Sequence, residues 1–237
     1  MATSRRVFLR SAVGVAVAAG AGMEILTGTA TADSRVPKRV PKPLPEPRKI
    51  IPSENGWPVD TAPNSGGSVW TRPVPGASFD VDVAIGDVET VLVHVVRRFN
   101  YEIDTLRPGD VVGFRPFGKV KKGLEYQTNH SSGTAIDIRP DWYPVGVAGG
   151  FYPQELAVIR DILAECEGVV KWGGDFPTPD QSHFQIDVPP SSDRLKLLAA
   201  KIRNWNGVPG LGAGVIQNTQ DKTRLKAAEA LKRLQTA

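Results

Sequence analysis

Between Asp87 and Phe99 the apolar residues Val88, Leu92, Val95 and Phe99 recur every three or four positions, which places them on one face of a helix. His94 falls off that stripe and reads as a solvated or locally bonded histidine. Pro108-Gly109-Asp110 makes a turn, and the apolar run from Val111 to Phe114 predicts a strand. A second helix is predicted from Pro153, a residue suited to a first turn, through Leu156, Ile159, Leu163 and Cys166, with Gly168 as its stop. Val169 to Trp172 reads as a strand entering the Gly173-Gly174 turn, and Phe184 to Val188 alternates apolar with polar before Pro189-Pro190 ends it. Ser192-Asp193 can cap a last domain helix reaching Trp205. After the glycine-rich joint at 207–214, "TRLKAAEALKRL" predicts a charged, weakly amphipathic helix that docks on the domain or lies free. Helices between short, non-repeating strands favour an α+β domain, a small mixed or antiparallel sheet with flanking helices, over an alternating parallel fold.

Before these elements the pattern is different. From Val36 to Pro63 proline is crowded, as in "VPKRVPKPLPEPRK". Proline fixes φ and removes backbone donors, so an extended spacer is expected, with the folded domain beginning near Trp70. The expected division is 1–32, 33–69, 70–206 and 207–237. At the start, "SRRVFLR" precedes an Ala/Val/Gly-rich run and Ala30-Thr31-Ala32, a small-residue cleavage pattern. The segment resembles a twin-arginine export signal, which implies an extracytoplasmic, secreted or wall-associated protein that leaves the cell already folded. The apolar run is short and is broken by glycines and Glu24, so no lasting membrane span is expected.

Charge narrows the partners. The formal net charge of +4 owes three arginines to the first 32 residues, and the remainder would carry 26 basic and 24 acidic side chains. No Lys/Arg cluster interleaved with aromatics follows, so nucleic acid is not an expected partner. Cys166 is the single cysteine, which rules out a disulfide within the chain. Stability must come from the core, to which a bound metal could add, and a monomer is expected.

The candidate chemistry lies in "TNHSSGTAIDI" and "DQSHFQIDV". A hydrolytic zinc centre needs three protein ligands from His, Asp or Glu and an open fourth position. His130 and Asp137 are candidates for two, and His183 for the third, since His94 has no comparable setting. Gly133 allows a close backbone approach, and Asp137 alternates with Ile136 and Ile138, so its carboxylate points away from its apolar neighbours. Taken alone, a histidine and an aspartate at this spacing are weak evidence.

The two segments together resemble the zinc D-alanyl-D-alanine carboxypeptidases and the related L-alanyl-D-glutamate endopeptidases of phage lysins. The resemblance is carried by His130, Gly133, Ala135, Asp137, Asp180, His183, Phe184 and Gln185, within roughly 111–188. It implies one zinc per chain on His130, Asp137 and His183, with Asp180 as general base and peptidoglycan stem peptides as substrate. It also implies an upstream arginine that stabilises the oxyanion. Arg115 is the candidate, with Arg139 and Arg97 as rivals; Asp175 is the rival base or a residue that orients a ligand. Trp172 is read as a core residue rather than a cleft wall. The carboxypeptidase branch uses glutamate where Asp180 stands, and this leaves the bond that is cut open.

Other chemistries fit less well. A peptidase using a His-x-His ligand pair lacks its second histidine, because residue 185 is Gln. Cys166 belongs to a helical apolar stripe, and no Gly-x-Ser-x-Gly elbow occurs. A zinc-containing domain that binds wall peptides without cutting them is the alternative from the binding class.

Overall fold

The computed structural model describes residues 51–236. The expected export signal and the first part of the expected spacer lie outside them. A hairpin of β1 (Val69–Pro73) and β2 (Asp80–Ala84) leads into helix α1 (Asp87–Glu102). Strand β3 (Val111–Val112), the single-turn helix α2 (Phe117–Val120) and a 3-10 turn (Glu125–His130) precede β4 (Ala135–Ile138). Helix α3 (Pro153–Glu165), strand β5 (Val170–Trp172) and a second 3-10 turn (Gly173–Asp175) lead to β6 (His183–Ile186). Helices α4 (Asp193–Asn206) and α5 (Lys222–Thr236) end the chain.

The principal sheet has the order β3-β4-β6-β5, and every neighbouring pair is antiparallel. The α+β architecture with small antiparallel sheets and flanking helices is therefore the one expected. Alternation divides the sheet into two faces. Ile136, Ile138, Phe184, Ile186, Val170 and Trp172 enter the core with Leu92, Val95 and Phe99 of α1 and Ile159 and Ile162 of α3. Asp137, His183 and Gln185 occupy the other face, and Asp137 stands directly opposite His183. Trp172 is a core residue, with its indole N–H donating to the Gln181 carbonyl at 2.9 Å.

The boundary expected near Trp70 lies earlier. The Asn55 side-chain amide donates to Thr134 Oγ1 and to the Ile186 carbonyl, each at 2.8 Å. The Trp57 indole donates to the Val188 carbonyl at 2.8 Å, and the Asp60 amide donates to the Ser131 carbonyl at 2.8 Å. Residues 53–60 are thus a strap across the ends of β4 and β6 rather than a free spacer. Proline content hid this, because the strap's order comes from long-range hydrogen bonds that leave no local pattern.

Helix α5 docks. Its Arg224 reaches Asp161 of α3 at 2.5 Å, beside Arg98 of α1, which is fully buried and bonds Asp161 and Glu165, each at 2.9 Å. Glu102 completes the surroundings of Arg98. His94 is part of this group: it is buried, and its Nε2 lies 2.8 Å from Glu165 Oε2. The local-bonding reading of His94 holds, and the solvated one does not. Burial acts to raise the Glu165 carboxyl, but the His94 hydrogen bond and the Arg98 charge bring it down to about 2.

Candidate metal centre

Two strands and one turn build the site. The 3-10 turn delivers His130, β4 delivers Asp137 and β6 delivers His183, all three buried. One ligand atom from each lies within 4.8 Å of the others. Gly133 lets this happen: its φ of 66° is left-handed, and a Cβ there would stand 2.5 Å from the Ala84 amide nitrogen and 2.7 Å from Val69. Packing against the β1–β2 hairpin therefore excludes any side chain at 133. Gly173 is as constrained, since a Cβ would meet the Asp180 carbonyl oxygen at 2.5 Å and His183 Cβ at 3.0 Å.

The hydrogen bonds fix which ring nitrogens face inward. His130 Nδ1 lies 2.6 Å from the Gly113 carbonyl, which can only accept, so Nδ1 carries the proton and Nε2 keeps its lone pair. For His183 the logic runs through three residues. The Asn55 backbone amide donates to Asn129 Oδ1 at 3.0 Å, so the Asn129 amino group faces Gln185 and donates to its Oε1 at 3.0 Å. That oxygen also lies 3.0 Å from His183 Nε2, which must then be the protonated nitrogen. His183 Nδ1 is left with its lone pair.

Both lone pairs point at one carboxylate oxygen. Asp137 Oδ1 is 3.1 Å from His130 Nε2 and 2.9 Å from His183 Nδ1. Burial holds the His130 imidazole below its ordinary pKa, so it favours the neutral ring. Burial alone would raise Asp137, but the two histidines hold its carboxyl well below the usual range. Three buried acceptors converging without a proton between them is an arrangement that a cation resolves. Two nitrogens and one oxygen are donors that zinc takes. The chemistry of the residues fits the metal.

Arg115 borders the centre. Its Nη2 lies 2.6 Å from Asp137 Oδ2, and its Nη1 donates to Gln127 Oε1 at 2.7 Å. Arg139 is instead held by Asp104, Asp110 and the Thr105 carbonyl, and Arg97 by Asn206 and the Ala213 carbonyl. Of the three candidate arginines, Arg115 alone contacts a candidate ligand, Asp137.

Asp180 is fully buried and accepts three hydrogen bonds, from Tyr126 Oη at 2.9 Å, Gln127 Nε2 at 3.2 Å and Ser182 Oγ at 2.7 Å. Gln127 thereby links the aspartate to Arg115. The Tyr126 ring leans on His183, with centroids 4.7 Å apart, and burial together with the Asp180 charge pushes its hydroxyl pKa upward. Asp175 is elsewhere: it forms a bidentate pair with Arg160, whose guanidinium lies 4.9 Å from the Trp172 ring centre. It anchors the Gly173–Asp175 turn, whose Gly173 carbonyl accepts the Asp180 amide at 2.8 Å.

Asn55, Tyr126, Gln127 and Asn129 were not singled out from the sequence. Gln185 was noted only as part of the resemblance. No spacing rule marks these residues, because each acts by holding another side chain. A cleft of about 400 Å³ opens beside them, lined in part by Tyr126, Phe176 and Gln185.

Residues 122–186 match a family model described as D-alanyl-D-alanine carboxypeptidase. No curated protein and no solved structure matches the chain. The matched span contains His130, Asp137, Asp180 and His183, whereas Arg115 and the strap precede it. The buried donor set and the matched span agree on the same residues: His130, Asp137 and His183 all lie within the segment that is similar to the D-alanyl-D-alanine carboxypeptidase family.

Proposed function

We propose that the protein is an exported, monomeric zinc peptidase that hydrolyses peptide bonds in peptidoglycan stem peptides. The observation that carries this reading is the convergence of two imidazole lone pairs on Asp137 Oδ1, inside the segment that matches a peptidase family. His130 Nε2, Asp137 Oδ1 and His183 Nδ1 would hold the ion. Zinc bound there supplies a Lewis acid that acidifies water and polarises a carbonyl.

The chain's own residues do the rest. Asp180 takes the proton of the attacking water and later returns it to the leaving amine. Tyr126, Gln127 and Ser182 aim its carboxylate. Arg115 holds Asp137 Oδ2, leaving Oδ1 for the metal, and its guanidinium supplies positive charge beside the carbonyl oxygen as that oxygen becomes anionic. The Gln185-Asn129-Asn55 chain keeps His183 in the ligating tautomer. Export rests on the paired arginines Arg5 and Arg6 and the small-residue site at Ala30-Thr31-Ala32, which lie outside the described residues. Among the described residues no helix is long and apolar enough to cross a membrane.

The test is to incubate the zinc-loaded protein and a chelated sample with muropeptides of defined stem and to identify products by mass spectrometry. Zinc-dependent cleavage is expected, and the product masses name the bond. Binding without products would replace this reading with a wall-binding domain. Cleavage that survives full chelation would remove the metal from the chemistry.

A further inference from the structure

The cleft beside the metal centre continues the ligand-bearing face of the sheet. Gln185 lies two residues beyond His183 on β6, and Lys171 of β5 stands directly opposite Gln185 in the ladder. Both line the cleft, together with Tyr126, Phe176, Glu54 and Glu125. Glu54 comes from the strap, which is why a cleft at the edge of the matched span has a wall from outside it.

The charges in this cleft do not neutralise one another. Among the described residues Lys171 makes no ion pair and no hydrogen bond through its ammonium group, which lies 5.8 Å from the Phe176 ring centre. The Asp187 carboxylate beyond Gln185 is near enough for its charge and that of Lys171 to be felt by each other, but the two do not pair. The Glu54 backbone amide donates to Thr128 Oγ1 and its Oε2 accepts from Asn129 Nδ2, each at 2.9 Å, and among the described residues its Oε1 has no hydrogen-bond partner. A sheet holds the cation, and a strap holds the anion. Opposite charges kept apart in one concave site favour a ligand that brings the counter-charge to each.

We propose that this cleft is a substrate subsite that takes a residue bearing both a carboxylate and a primary amine, the carboxylate at Lys171 and the amine at Glu54. The inference rests on the peptidase reading for the identity of the ligand as part of a stem peptide, but it concerns binding. Tyr126 and Phe176 give the ligand's hydrocarbon an apolar wall, and Glu125 lines the same cleft. A neutral side chain would leave both protein charges without partners in the occupied cleft, which is the basis of discrimination.

The experiment uses three stem peptides, one with a zwitterionic side chain, one with that carboxylate amidated and one with that amine acetylated. Affinity for the zinc-loaded protein is measured by calorimetry, and hydrolysis is followed in parallel. Each modification should weaken wild-type binding roughly 10- to 100-fold, the range set by one charged hydrogen bond. Lys171→Met should lose the response to amidation and keep the response to acetylation, and Lys171→Arg should restore the first. Glu54→Gln, which retains an acceptor for Asn129, should show the opposite pattern. Wild-type protein that binds all three peptides equally overturns the subsite, as does a Lys171→Met variant that discriminates like Lys171→Arg. Equal cleavage of all three would leave the peptidase reading standing without the subsite; discriminating binding without cleavage would do the reverse.

Discussion

Replacing Asp180 by asparagine separates chemistry from architecture at this site. The carboxylate accepts from Tyr126 and Gln127 on Oδ2 and from Ser182 on Oδ1. An asparagine carbonyl oxygen can keep the first two donors. The new amino group then faces Ser182, whose hydroxyl can reverse from donor to acceptor. Three charge-assisted bonds become neutral ones, at roughly 1 kcal/mol each, and the change is offset by removing a buried charge. The net loss of stability should stay under about 2 kcal/mol, and zinc should be retained. Turnover has no such compensation, because an amide cannot accept the proton. A fall of roughly 100- to 10,000-fold, or about 2.7–5.4 kcal/mol of barrier, is expected. The assay is kcat/KM on a defined muropeptide, with zinc content and thermal unfolding measured on the same preparation. Asp175→Asn is the control: it breaks the bidentate pair with Arg160 and should lower stability while leaving turnover within about tenfold of wild type. An Asp180→Asn protein with full zinc and near-normal turnover would refute the assignment of the base.

Two further outcomes follow from the packing. Gly133→Ala places a Cβ 2.5 Å from a backbone nitrogen at a left-handed φ, so it should cost about 2–4 kcal/mol and lower Tm by roughly 5–15 °C, read by calorimetry. An unchanged melting curve would mean that the hairpin does not press on the His130 turn. Glu165, whose folded pKa lies near 2 against an ordinary 4.5, contributes stability that is present above about pH 4.5 and lost as pH falls towards 2. Between pH 6 and pH 2.5, wild type should therefore lose roughly 2–3 kcal/mol more unfolding free energy in urea than Glu165→Gln loses, and parallel losses would contradict the depressed pKa.

Some of this was legible in the residues and some was not. The helices α1, α3 and α4 announce themselves by apolar spacing, and Asp137 by its alternation with Ile136 and Ile138, because these signals are local. Strand β6 begins one residue earlier than its apolar pattern suggests, since His183 is paired to Asp137 across the sheet and needs no apolar character to be there. The strap escaped notice for the opposite reason: its prolines speak for an open chain, while Asn55 and Trp57 are fixed by partners some 74 to 131 residues away. Of the two readings of His94, the bonded one holds and the solvated one fails, because an ion network can bury a polar residue off the apolar stripe. Arg115 could be nominated but not distinguished from Arg97 and Arg139 until their carboxylate and carbonyl partners were located.

If the proposed ion is bound, the pairing of Asp137 with His183 across β4 and β6 gives it a bearing on folding as well as on chemistry. Side chains alternate across a strand, so a slip of one residue between these strands would carry one partner to the apolar face and dissolve the donor set. A chain in the wrong register cannot bind the ion, and a chain that has bound it cannot slip without surrendering a ligand. On the zinc reading, a bound ion would proofread the central strand pair, and metal occupancy would count the molecules whose sheet has been assembled correctly.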